Sequence, residues 1–320
     1  MSGDLLAGVE AAAGLAVYGG SRAAVRGELV SDGVPGLLAS KDPTLWGTAA
    51  ETHAKSRLGW VDAYRRSREL LPQIAELCEE LADLTDVVVC GPAAAANAIT
   101  RTLGVPLKDL DAADLERTVA VLTGPSAEAD RLRQAYRDAG VTEAEAGRHF
   151  VVVAPPDSPL STAGQLAVPA DPDVTGAWGA LTATALVPAA LAGVDVAELL
   201  DEAELLAPSL SGETDNPALA LGVALATAEG TVALRSDGTG FEGFGEWAAE
   251  LLTGLLPVVV EGAGAVTVTY GGGLPPASVP GGGVRPDVAV NGPLGAQFLA
   301  WQFAAAIAAR VRGVDPFGVG

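Results

Sequence analysis

Three short, unbroken apolar runs set the rhythm of the first half of the chain. Val87-Val88-Val89-Cys90-Gly91 leads into an Ala-rich helical stretch over 92–102. Residues 118–122 run through Thr123-Gly124-Pro125-Ser126 into a helix ending near Ala139, and 150–154 form the third run. Apolar runs of this length alternating with helices predict parallel strands buried on both faces, as in a doubly wound α/β sheet. Ahead of them Ile74, Leu77 and Leu81 recur at helical spacing. They predict an amphipathic helix over 60–84, with Arg65, Arg66 and Arg68 early and Glu76, Glu79 and Glu80 later. A second α/β set follows a Pro/Ala-rich helical region over 178–205 and an acidic hinge near 211–215. Strands are expected over 231–234, 256–260 and 266–270, and a helix over 241–253. A Gly/Pro-rich loop over 271–283 then precedes a long terminal helix over 293–311. The chain thus divides into a helical N-terminal segment (1–60), a first α/β lobe (61–190) and a second (191–320).

Composition narrows the partners. The 320 residues include 40 acidic and 19 basic ones, a formal net charge of -21. Such a field repels phosphate backbones and anionic headgroups, so neither nucleic acid nor a membrane surface is an expected partner. The acidity reads as a solvated surface. Cys78 and Cys90 make neither a disulfide framework nor a metal-binding spacing, which points to a reducing, cytoplasmic setting. The N-terminus carries Asp4 and Glu10 and no basic region, unlike a secretory signal. The charge-free run 174–194 reaches the ~20 residues of a membrane span. It is rich in Gly, Ala and Thr and holds Pro188, so a buried helix is expected there.

In an open parallel sheet, ligands sit beyond the C-terminal ends of the strands. The loop after Cys90, from Gly91 to Asn97, offers one glycine and no hydroxyl, and Pro92 lacks an N–H. Alanines stand where a dinucleotide fingerprint needs its second and third glycines, so no NAD and no other cofactor is expected. The next loop, with Thr123, Gly124 and Ser126, admits two readings: weak anion donors, or an N-cap of the following helix. His53 and His149 lack triad partners. Asp171 and Asp173 form a turn-like Asp-Pro-Asp rather than a set of converging oxygens, so no metal site is expected.

The string also resembles a known family. The similar segments are Lys41-Asp42-Pro43-Thr44-Leu45-Trp46-Gly47, Arg57-Leu58-Gly59-Trp60, Ser67-Arg68-Glu69-Leu70-Leu71-Pro72, Leu115-Glu116-Arg117-Thr118-Val119, Leu186-Val187-Pro188, Gly243-Phe244-Gly245-Glu246-Trp247-Ala248, Leu255-Leu256-Pro257-Val258-Val259-Val260-Glu261 and Gly292-Pro293-Leu294-Gly295-Ala296-Gln297-Phe298. Together they resemble glucose-6-phosphate isomerases of the sugar isomerase (SIS) fold, in particular the actinobacterial type also found fused to transaldolase. The resemblance implies two SIS lobes, each a three-layer αβα sandwich, the second one shortened here. It also implies a homodimer, a sugar-phosphate cleft and aldose–ketose isomerisation through an enediol.

That chemistry needs a proton-shuttling carboxylate, a cation for the enediolate and hydroxyl-rich loops for the phosphate. The family's first cradle resembles Gly-Met-Gly-Gly-Ser-Ser, where this chain has Gly91-Pro92-Ala93-Ala94-Ala95-Ala96. The second is shortened to Thr123-Gly124-Pro125-Ser126, without its lysine. The family's arginine falls on Ala177, in Gly176-Ala177-Trp178-Gly179. Its glutamate-bearing stretch after Trp247 is deleted, leaving Glu250 as either a substitute base or an exposed helix-face glutamate. The C-terminal catalytic lysine is absent as well. The expectation is a catalytically inactive relative, a sugar-phosphate sensor or a partner of itself or of a related metabolic enzyme. The alternative is a working isomerase that uses Glu250, Thr123 and Ser126. The packing of Trp178 bears on both, because its ring would close the cleft if it lay there.

Overall fold

A computed structural model describes residues 8–10, 14–19, 22–162, 166–273 and 286–318. The chain opens with strands β1 (Gly8–Glu10) and β2 (Ala16–Gly19), then helices α1 (Ala23–Ser31), α2 (Val34–Ala39) and α3 (Thr48–Ala54). Helices α4 (Ala63–Arg66) and α5 (Leu71–Glu80) lead into β3 (Asp86–Cys90), α6 (Ala94–Thr102), β4 (Thr118–Leu122), α7 (Ala127–Asp138), α8 (Glu143–Gly147), β5 (Phe150–Ala154) and β6 (Leu166–Pro169). Three consecutive helices follow: α9 (Ala183–Leu191), α10 (Val196–Leu210) and α11 (Pro217–Ala226). The second set comprises β7 (Val232–Ser236), α12 (Phe244–Leu251), β8 (Val258–Val260), β9 (Val266–Gly271), β10 (Val288–Asn291) and α13 (Leu294–Arg312).

The first sheet is wholly parallel, in the order β3-β4-β5-β6. Its residues alternate between two buried faces, as the unbroken apolar runs require. Val119, Val121, Val151 and Val153 join the main core with α9, whereas Ala120, Leu122, Val152 and Ala154 pack with Leu132 and Tyr136 of α7. The second sheet runs β1-β2-β10-β9-β7-β8 and is parallel from β10 to β8. The fold is therefore the expected α/β arrangement, with one wholly parallel sheet and a second that is parallel except at β2, which runs antiparallel to both its neighbours.

The N-terminal lead-in departs from the expectation of a purely helical segment. It is helical from Ala23, but Ala16–Gly19 is a strand paired antiparallel with β10, Val17 opposite Val290. Val17 and Tyr18 suit a pleated surface, and Gly14 and Gly19, both at positive φ, stop a helix at either end. The stretch 60–84 is likewise not one helix. Short 3₁₀ turns over Gly59–Asp62 and Ser67–Leu70 break it, and Pro72 opens α5 afresh. Residues 274–283 of the Gly/Pro-rich loop and 1–7 of the N-terminus lie outside the described residues.

Helix α13 is the spine of the molecule, packed against α10 and α11 and buried from Leu294 to Ala309. It is long and apolar enough to cross a membrane, but 89% of its apolar window is covered by the rest of the fold. The lead-in docks on it: Trp46 Nε1 donates to Ala306 O at 2.9 Å, and Trp60 meets Phe303 edge-on at 5.3 Å. Trp60, Trp247 and Phe298, all in the family-like segments, are fully buried packing residues.

Candidate ligand cleft

The four strands of the first sheet end on one edge, and the chain's strand-end loops converge there. After Cys90 the backbone turns at Gly91, with φ at 122°. A Cβ there would meet Thr123 Oγ1 at 2.7 Å and Gly124 N at 2.8 Å, so only glycine lets the loops after β3 and β4 press together. Thr123 Oγ1 donates to Pro92 O at 3.0 Å, which commits its proton to the scaffold.

Against these loops lies a cavity of about 230 Å³. The first loop contributes Pro92 through Ala96, the second Thr123, and β5 and its following loop Val153 and Pro155. The segment after β6 supplies Ala170, Asp171, Pro172, Val174, Thr175, Gly176 and Ala177, and α12 of the second lobe adds Glu250. The structure thus brings Thr123 and Glu250 to one cavity, with Gly91 and Gly124 packed behind Thr123. Ser126 does not line it. Its Oγ accepts from Glu128 N at 3.1 Å as the N-cap of α7.

Two polar features face this space. Helix α6 begins with no capping side chain, and the residues of its first turn, Ala94 to Ala96, line the cavity. First-turn N–H groups have no partner within their own helix and carry the positive end of its dipole. The charged side chains of the lining are two carboxylates, Asp171 and Glu250; no Lys, Arg or His is among the described lining residues. Glu250 is exposed on its helix, and its carboxylate makes no hydrogen bond or ion pair with a described residue. Desolvation at the cavity wall raises its pKa above the ordinary carboxylate value.

Asp171 is neutralised from behind. Arg66 reaches it from outside the cavity, and also donates to Gly59 O and, at 3.0 Å, to Asp62 Oδ1. Asp62 in turn accepts from Lys41 Nζ at 2.6 Å. Burial pushes Asp62 upward, yet Lys41 and Arg66 together hold its pKa below the ordinary value. At the rim, Arg57 Nη1 donates to Thr175 Oγ1 at 2.6 Å.

The Trp178 ring does not fill the cleft. It turns into the core, 4.6 Å from Trp60 and 5.4 Å from Phe317 between ring centres, while its carbonyl accepts from Gln302 at 2.6 Å. The two histidines stand apart from the cavity: His53 pairs with Asp315 at 2.6 Å, and His149 Nδ1 lies 2.7 Å from Thr118 O. Burial pushes the Cys90 thiol up to about 11, so it is inert. Among the described residues no three His, Cys, Asp or Glu side chains gather as a metal site.

Sequence reasoning does not single out Thr175, the Arg66 brace or Thr184, which also lines the cavity. It weighed Asp171 only as a metal ligand. The missing signal was β6, whose four residues hide the fact that Asp171 follows a strand end.

Comparisons with known proteins bear on this geometry. No family model matches the chain. Over 161 residues it is 37% identical to a Haloarcula marismortui protein named Probable glucose-6-phosphate isomerase, a match covering 45% of this chain and 36% of that protein. The matched region is little more than a third of that relative's length. Two crystal structures share the fold across nearly the whole chain. A hypothetical protein of Thermus thermophilus superposes with a TM-score of 0.70 at 15% identity, covering 92% of both chains. A glucose-6-phosphate isomerase of Chlamydia trachomatis gives 0.69 at 12% identity, covering 95% of this chain and 85% of that one. The architecture is thus the fold that these two crystal structures share.

Proposed function

We propose that this chain is a glucose-6-phosphate isomerase-like protein whose cleft has lost the isomerase chemistry. It serves as a non-catalytic partner or sugar-phosphate sensor in central carbohydrate metabolism. The observation that carries the reading is the composition of the cavity wall: alanines and a proline along the first strand-end loop, where an isomerase needs hydroxyl donors, and no cation among the described lining residues. Removing single groups of these kinds costs about 10²–10⁴ in rate. Their joint absence takes turnover below a measurable level. A coupled assay with glucose 6-phosphate or fructose 6-phosphate tests this, and turnover at ordinary enzyme rates refutes it.

One observation favours the opposite reading. Glu250 is a carboxylate at the cavity with no partner among the described residues, and its pKa is moved in the direction a general base at neutral pH requires. If Glu250 shuttles the proton and the first-turn N–H groups of α6 stabilise the enediolate, Glu250→Gln abolishes a measurable isomerisation. On the non-catalytic reading there is no activity for that substitution to remove.

A further inference from the structure

We propose that a second cavity, behind the cleft wall, is a binding site for a small phosphoryl anion. The proposal goes beyond the function above and holds whether or not the cleft turns over a substrate. The cavity, about 250 Å³, lies where the ends of α2 and α3 meet α4, and its lining includes Lys41, Lys55, Arg66 and a single carboxylate, Asp173. The chain has only three lysines and a net charge of -21, yet two of those lysines line this one space.

These cations are paired but not saturated. Lys41 donates to Asp62 and Lys55 to Glu51, and neither of those carboxylates lines the cavity. An ammonium carries three N–H groups, so donors remain on each lysine after its one pairing. Arg66 spends Nε and Nη2 on Asp62, Asp171 and Gly59 O, while its Nη1 group donates to no described residue. Phosphoryl oxygens only accept, and charge-assisted bonds from such donors are what hold them. Lys41 also keeps φ at 61°, a left-handed conformation that glycine would adopt at less cost, so the position answers to its side chain rather than its backbone. Salt screens charges beyond ~8 Å, so the local lining outweighs the acidity of the rest of the surface. Asp173 at the wall and the paired carboxylates behind the cations hold the expected affinity to the millimolar range. An anion here would draw on the same guanidinium that neutralises Asp171 in the cleft wall.

Acetylation of the three lysines by acetic anhydride, read peptide by peptide by mass spectrometry, tests this on the full chain. Lys108 is exposed and does not line the cavity, so it serves as the internal control. Inorganic pyrophosphate and glucose 6-phosphate are the probes, the first for a free anion and the second for an ester, beside sodium chloride at matched ionic strength. At about 10 mM, one or both probes should slow acetylation of Lys41 and Lys55 about threefold or more, as occupancy by a millimolar ligand requires, and leave Lys108 unchanged. Lys55→Gln, a change at an exposed side chain, should raise the concentration that half-protects Lys41 about fivefold, near the upper end for an exposed charge pair. The proposal is overturned if neither probe protects Lys41 and Lys55, if chloride protects them as well, if Lys108 is protected equally, or if Lys55→Gln leaves the protection of Lys41 intact.

Discussion

Arg66 is the brace of the cleft wall, and its worth can be tested by a double-mutant cycle. The Arg66 side chain is 42% exposed and that of Asp171 only 14%. An exposed pair contributes ~0–1 kcal/mol, whereas stranding a carboxylate in a buried pair costs ~3–5 kcal/mol. The intermediate exposure, with the further bonds to Gly59 O and Asp62, puts Arg66→Ala at about 2 kcal/mol. Asp62 keeps Lys41 in that variant, so the loss falls chiefly on Asp171. Taking a urea dependence of ~3 kcal/mol/M, the unfolding midpoint moves down by about 0.7 M. Asp171→Asn keeps the shape but drops the charge. Combined with Arg66→Ala, it should show a coupling of about 1 kcal/mol, as expected for directly bonded groups. Additive effects within ~0.3 kcal/mol would refute the brace and leave the Asp171 wall held by its own turn.

Three further outcomes follow from local geometry. Ser126→Ala should cost ~0.5–2 kcal/mol of stability, as loss of an N-cap does, and leave ligand affinity at the cleft unchanged; altered affinity would return Ser126 to the site. Gly295→Ala should destabilise by ~3 kcal/mol or more, since a Cβ there lands 2.7 Å from the Leu199 carbonyl carbon and forces α13 off α10; a loss under 1 kcal/mol in urea would contradict that close crossing. Burial, with help from Glu198, keeps the Glu202 carboxyl above its ordinary value of 4.5 despite the bond from Gly295 N. The folded state then holds that proton more tightly than the unfolded one, so stability falls as pH rises from 4.5 through the folded value. Glu202→Gln should lack this fall, and urea midpoints of the two proteins that run parallel from pH 4 to pH 7 would refute it.

What the sequence made legible follows from which signals are local. β3, β4 and β5 announce themselves because a strand covered on both faces must be apolar at every position. The loops after Cys90 and Leu122, and with them Thr123 and the alanine-lined first turn of α6, follow from strand ends alone. β2 is hidden by the Ala-rich stretch before it, and what ties it into the sheet is its pairing with β10, far along the chain. α11 is buried on all sides and so shows no amphipathic period to find. The joining of Asp171, Thr175 and Glu250 depends on docking between distant segments, for which short-range patterning carries no mark.

The pairing of β2 with β10 constrains how the molecule comes off the ribosome. Everything in the first sheet lies between residues 86 and 169, so it can close while the rest is still being translated. The second sheet must wait for residues 288–291 before the hairpin of β1 and β2 joins the rest of the sheet through its free edge at 16–19. Until then that hairpin trails with the β10-facing edge of Val17 and Tyr18 open through most of synthesis, a natural target for chaperones and for edge-to-edge aggregation.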